Sequence, residues 1–184
     1  MSATKHRLIA FTGPKEAGKS TAAEAFPDAA RISFAEPIRR MLLALGVPEQ
    51  NLRVSHLKEV GLPQFGGASA RSMMQTLGTE WGRKMVNDTI WIDAAKAMIQ
   101  QQLKTNDVVV DDCRFDNEAD AIHSLGGVLI DVMRPGYGAS ATHASEHGVA
   151  TAKLDYCILN SRTPTFLHDW VKSCVDTHFS KAAR

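Results

Sequence analysis

The sequence predicts an α/β protein with a central, mainly parallel five-stranded sheet flanked by helices in three layers. Three observations carry this. Short apolar runs alternate with helix-forming stretches along the chain, the pattern of strands joined by crossover helices. Val108-Val109-Val110 is continuously apolar, as a strand buried on both faces requires. A glycine-bounded turn separates the first apolar run from an Ala-rich stretch.

The elements follow in order. Leu8–Thr12 is apolar, stops at Gly13-Pro14 and reads as a short buried strand. Residues 18–26 are Ala-rich and read as a helix, and 31–34 as a second short strand. Pro37 suits a first helical turn, with Ile38, Met41, Leu42 and Leu45 on one face and Gly46 and Pro48 as the stop. Residues 48–68 are loop-like, and about 46–70 is the expected mobile segment. Residues 69–86 and 89–103 read as helices, 108–112 as a strand, 115–125 as a helix closed by Gly126-Gly127, and 128–133 as a strand. Residues 135–153 are rich in Gly, Ser, Ala and Thr and read as a lid. A last strand at 156–159 leads into an amphipathic helix over 163–179, striped by Phe166, Leu167, Trp170, Val171, Cys174 and Val175.

With 184 residues, a single domain over 1–184 is expected. The formal net charge of +1, with 22% charged residues, argues against a protein built to coat nucleic acid. Three cysteines without CxxC spacing argue against a disulfide framework or a structural zinc site and for a reducing cytosol. The first apolar run is too short for a signal segment or a membrane span.

Gly13-Pro14-Lys15-Glu16-Ala17-Gly18-Lys19-Ser20 fits G-x-x-x-x-G-K-[ST], the P-loop, between an expected strand and an expected helix. Glycines let the backbone curl so that its N–H groups converge on phosphate oxygens. The following helix adds unpaired N–H groups and its positive dipole end. Lys19 then serves the β- and γ-phosphates, and Ser20 serves Mg²⁺. The expected ATP ligands are Gly13, Glu16, Ala17, Gly18, Lys19, Ser20 and Thr21, with Lys15 open between an acceptor phosphate and solvent.

Asp111-Asp112 end the apolar strand, where an acid in such proteins holds Mg²⁺. Transfer between two anions also needs cations. Arg114 follows that strand end and Arg134 the next one, and an arginine fork suits phosphate. Lys19, Arg114 and Arg134 are the expected catalytic residues.

Five stretches bring in a family. They are the P-loop through Thr21; Phe34-Ala35-Glu36-Pro37-Ile38-Arg39; Arg71-Ser72-Met73-Met74-Gln75-Thr76-Leu77-Gly78-Thr79 with Trp91-Ile92-Asp93; Asp112-Cys113-Arg114-Phe115-Asp116-Asn117-Glu118; and Arg134-Pro135-Gly136 with Thr142-His143, Glu146, Asp155 and Asn160. Over residues 8–175 the chain resembles the bacteriophage-type deoxynucleoside monophosphate kinases of the P-loop nucleoside monophosphate kinase group. The resemblance implies transfer of the ATP γ-phosphate to a deoxynucleoside monophosphate, with Mg²⁺. It implies a substrate site of Pro37, Ile38, Arg39, Arg71, Gln75, Gly78, Thr79, Trp91, Asp93, Asp112, Arg114, Glu118 and the lid's Thr142, and favours Asp112 over Asp111 for the metal. In chemical terms Trp91 offers an aromatic face, Gln75 and Asp93 hydrogen-bond base or sugar edges, and Glu118 orients Arg114 four residues earlier. Met73, Met74 and Leu77 are read as core, whereas Trp91 stays open between core and base contact.

Two other readings remain. One is a related kinase acting on dephospho-coenzyme A or a modified base in DNA; the other is a P-loop protein that only binds or hydrolyses nucleotide. His143-Ala144-Ser145-Glu146-His147 matches the zinc-peptidase pattern H-x-x-E-H but lacks the helix that pattern needs. The expected partners are small nucleotides, with no stable nucleic-acid complex and no membrane. The expected location is the cytoplasm, the host's if the gene is phage-borne, and the oligomeric state, homodimer included, is undetermined.

Overall fold

The computed structural model describes residues 6–137 and 149–182. They form two compact units, one of the residues up to Ser33 with those from Ala95 onward, the other of Phe34–Ala94.

The first unit is built on β1 (Leu8–Thr12), β2 (Ala30–Ile32), β3 (Val108–Val110), β4 (Val128–Met133) and β5 (Tyr156–Leu159). The order is β2-β3-β1-β4-β5, and every pairing is parallel. Ile9 stands in register with Val109 on one side and Val128 on the other. That face continues through Phe11, Ile130, Val132 and Ile158 onto α1 (Lys19–Ala23) and α7 (Pro164–Ala182), which bring Ala22, Ala23, Leu167, Val171 and Val175. On the opposite face Leu8 and Ile122 of α6 (Asp116–Ser124) both close on Gly127. The sheet is therefore sandwiched between helices, as expected. Each fully buried side chain such as Ile9, Phe11 or Ile130 contributes about 1.5–3 kcal/mol.

β3 stops at Val110 rather than at Asp112. The two carboxylates beyond it accept side-chain hydrogen bonds, described below. The end of the expected lid is tied to α6. Asp116 Oδ1 accepts the Ala150 N–H at 2.8 Å, and Lys153 pairs with Asp120. The stretch from 138 to 148, with Thr142 and the zinc-peptidase pattern, lies outside the described residues.

The second unit contains α2 (Glu36–Ala44), α3 (Glu49–Arg53) and α4 (Ala70–Gln75), which runs on as a π-helix over Thr76–Val86, and the first turn of α5 (Ile90–Gln102). Its core is Ile38, Leu42, Val47, Leu52, Leu62, Ala70 and Trp91, with Met73, Met74 and Leu77 packed against it. The stretch read as loop-like holds α3 and two short 3₁₀ turns, because Val47, Leu52 and Leu62 pin it to this core. The helix expected over 69–86 changes its winding at Thr76. There the Trp91 indole lies against Gly82 and donates Nε1–H to the Gly78 carbonyl at 2.7 Å.

Candidate active site

The site of the first unit is assembled where parallel strands end, the usual place for a ligand in an open α/β sheet. The P-loop follows β1, Asp111, Asp112 and Arg114 follow β3, Arg134 follows β4, and Asn160 follows β5.

Gly13 and Gly18 sit at φ 127° and 103°, and Glu16 at 64°. Left-handed residues of this kind turn successive N–H groups inward to make an anion nest. Lys19 Nζ donates to the Gly13 and Pro14 carbonyls, both at 2.7 Å. The Lys19 pKa is lowered from 10.5 to about 8, by burial first and by the charge of Arg114 second, while Asp111, Asp131 and Asp112 oppose the shift. Arg114 is thus felt electrostatically at the P-loop lysine.

Ser20 Oγ donates to Asp111 Oδ2 at 3.2 Å. Asp112 Oδ2 instead accepts a short hydrogen bond from Ser33 Oγ. The acid expected from sequence is Asp112, whereas in this structure the carboxylate that meets the Ser20 hydroxyl is that of Asp111. A hydroxyl beside a carboxylate is the hard-oxygen set that Mg²⁺ takes, so Ser20 and Asp111 are the pair that fits the ion.

Glu118 is buried, and its carboxylate accepts the N–H of Arg114 at 2.7 Å and of Phe115 at 3.2 Å. It caps α6 and fixes the Arg114 backbone. Cys113, between Asp112 and Arg114, is buried and its thiol pKa is pushed well up by that burial, so it packs as an apolar residue. Arg134 is exposed, with its guanidinium 4.7 Å from the Tyr137 ring centre. Lys15 and Glu16 are exposed on the P-loop.

Three side chains here were not assigned roles from sequence. Asp131 lies on β4 opposite Thr12, and burial raises its pKa against the pull of Lys19. Its signal was an acid inside the apolar run Val128–Met133. Asn160 Nδ2 donates to the Ala17 carbonyl at 2.8 Å, and His168 Nε2 meets the Thr21 carbonyl at 2.8 Å. Nothing local in sequence marks the last two contacts, which span more than 140 residues.

The expected acceptor residues of the second unit fall into two groups. Ile38, Gly78 and Trp91 are core. Trp91 is 4% exposed, Ile38 is 6% exposed, and the Gly78 carbonyl is bonded to the indole. Packing inside the unit covers these groups, so of the two readings left open for Trp91 the structure shows the core one, and Ile38 and Gly78, expected at the substrate, are buried here. Arg39, Arg71, Gln75, Thr79 and Asp93 retain solvent exposure. Arg39 pairs with Glu36 at 3.1 Å and Arg71 with Glu59, while Asp93 accepts the Thr89 hydroxyl at 2.8 Å. Pro37 occupies the first turn of α2.

A P-loop closing a central parallel strand, backed by an acid and an arginine from the next strand end, defines a P-loop nucleotide-binding protein. A sequence model of the family described as deoxynucleotide monophosphate kinase matches residues 48–169. The chain belongs to that family. The matched region begins beyond the P-loop, so motif and family match rest on different residues. A putative deoxynucleotide monophosphate kinase of Acanthamoeba polyphaga mimivirus is 32% identical over 185 residues, covering 92% of this chain and 96% of that protein. The deoxynucleoside-5′-monophosphate kinase of Escherichia phage T5 is 27% identical, covering 58% of this chain and 45% of that protein. The deoxynucleotide monophosphate kinase of Enterobacteria phage T4 is 28% identical, covering 57% and 44%. The alignments thus span less than half of either phage enzyme. The solved dephospho-CoA kinase of Campylobacter jejuni aligns at a TM-score of 0.45 with 15% identity over 95% of this chain and 98% of that one. No helix among the described residues is long and apolar enough to cross a membrane.

Proposed function

We propose that this kinase transfers the γ-phosphoryl group of ATP to the 5′-phosphate of a deoxynucleoside monophosphate, working with Mg²⁺ in the cytoplasm. The observation that carries the reading is the formed P-loop with Lys19 at its carbonyls and Arg114 acting on its charge, in a chain of this family. An oxygen of the acceptor phosphate attacks the γ-phosphorus, the bond to the β–γ bridging oxygen breaks, and ADP leaves with that electron pair. The protein's share is positioning and charge neutralisation. P-loop N–H groups and Lys19 hold the β- and γ-phosphates, and Arg114 and Arg134 face the transferring group. Arg39 and Arg71 take the acceptor phosphate, with Gln75, Thr79 and Asp93 at its sugar or base. Ser20 and Asp111 would hold Mg²⁺, which when bound neutralises developing charge.

ADP release measured across all deoxy- and ribonucleoside monophosphates, dephospho-coenzyme A and DNA tests this. The expected result is release that depends on a deoxynucleoside monophosphate. Release without any acceptor, or a preference for dephospho-coenzyme A or DNA, would overturn it.

A further inference from the structure

We propose that Asn160 and His168 are positioning residues that clamp the P-loop from the C-terminal part of the chain and set its affinity for the triphosphate. The inference deepens the ATP-site reading and rests on it, but not on the identity of the acceptor.

α1 spans five residues and its N-cap, Gly18, supplies no side-chain hydrogen bond. So short a helix does not hold itself. Two carbonyls flanking its start are gripped from outside. Asn160 is first fixed by its own backbone, whose N–H donates to the Met133 carbonyl at 2.7 Å. Its Nδ2 then donates to the carbonyl of Ala17, a fully buried P-loop residue, at 2.8 Å. The same amide abuts Gly18 so closely that a Cβ there would lie 2.3 Å from Nδ2, with Leu167 of α7 next at 3.9 Å. One turn further on, His168 of α7 meets the Thr21 carbonyl at 2.8 Å. A carbonyl only accepts, so Nε2 is the donor and carries the proton.

The chemistry follows from what the loop does. Its N–H groups must converge before the phosphates arrive, since ordering a loose loop during binding subtracts from affinity. A bond to Ala17 and another to Thr21 hold the peptide planes between them, and hence the N–H groups of Gly18 to Ser20, in one orientation. Neither side chain needs to touch nucleotide.

The test uses the full chain with inorganic tripolyphosphate as the calorimetric probe, alongside KM for ATP and for the acceptor. Asn160→Ala and His168→Leu remove the donors. His168→Gln keeps one, because its amide nitrogen falls close to the place of Nε2. We expect Asn160→Ala and His168→Leu to weaken tripolyphosphate binding and raise KM for ATP by at least about fivefold, with KM for the acceptor within about twofold. His168→Gln should stay within about twofold of the parent in every constant. Unchanged tripolyphosphate binding in both folded donor-less variants would overturn the proposal, as would equal losses for ATP and acceptor, or His168→Gln behaving like His168→Leu. If Asn160→Ala alone fails to fold, the His168 pair decides. If neither donor-less variant folds, the contacts are simply structural and the proposal falls. Failure of the acceptor screen would leave tripolyphosphate binding unaffected, so the two readings fail separately.

Discussion

Asp111 and Asp112 are neighbours in sequence, yet one meets Ser20 and the other Ser33. The expected consequence is an asymmetry in metal use. Asp111→Asn should raise the Mg²⁺ concentration for half-maximal rate by about tenfold or more, while Asp112→Asn should move it far less. Titrating Mg²⁺ against both variants checks this, and equal shifts would contradict the pairing. Lys19 carries a second prediction. Its pKa, brought from the usual 10.5 to about 8 by burial and then by Arg114, means that the nucleotide-free site loses its cation as pH rises through about 8. ATP affinity should fall about tenfold between about pH 7 and about pH 9. Stability should move the other way. The folded pKa lies below the unfolded one, so the cost of burying the charged amine is full below about 8 and is relieved as pH rises from about 8 towards 10.5. Calorimetric affinities and thermal melts of the nucleotide-free protein over that window check the opposed signs. At this scale the P-loop was legible, because its glycines, lysine and serine carry their chemistry in one short stretch. Which of the two adjacent acids meets Ser20 was not, since it depends on which way each side chain leaves the segment after β3.

Among the elements, the π-helix over Thr76–Val86 is the one whose form sequence did not give away. Apolar spacing marked a helix there, but spacing of that kind cannot report a change of winding. Gly82 permits the close approach: a Cβ on it would stand 2.4 Å from the Trp91 ring. Two effects compete in Gly82→Ala. Helix propensity alone favours Ala by about 1 kcal/mol. Overpacking against a ring already fixed by its bond to Gly78 costs about 1–3 kcal/mol. The clash should win, and urea titration of the variant should show a net loss; a gain would mean the indole yields. The strands were the most legible elements, because Val108–Val110 and Val128–Met133 are apolar through both faces of a covered sheet. The structured stretch between α2 and α4 was hidden by its glycines and prolines, although Val47, Leu52 and Leu62 were already spaced to anchor it.

For the molecule as a whole, ordinary length suggested one domain, and within it the described residues form two compact units. The division left no trace in composition because no Pro/Gly/Ser-rich linker marks it. One boundary falls just after Ser33 and the other inside α5. The Phe34–Ala94 unit is continuous in sequence, but the sheet-bearing unit is not. β1 has β3 and β4 as its immediate neighbours, and both arise nearly a hundred residues or more after it. During vectorial synthesis on a ribosome the nascent strand that carries the P-loop therefore emerges with both edges open. At translation speeds of about 5–20 residues per second it waits on the order of ten seconds for its partners. The interposed unit can collapse on its own core in that interval, while Leu8–Thr12 stays an unpaired apolar segment. The strand on which nucleotide binding depends is thus the part of the nascent chain most in need of protection from aggregation.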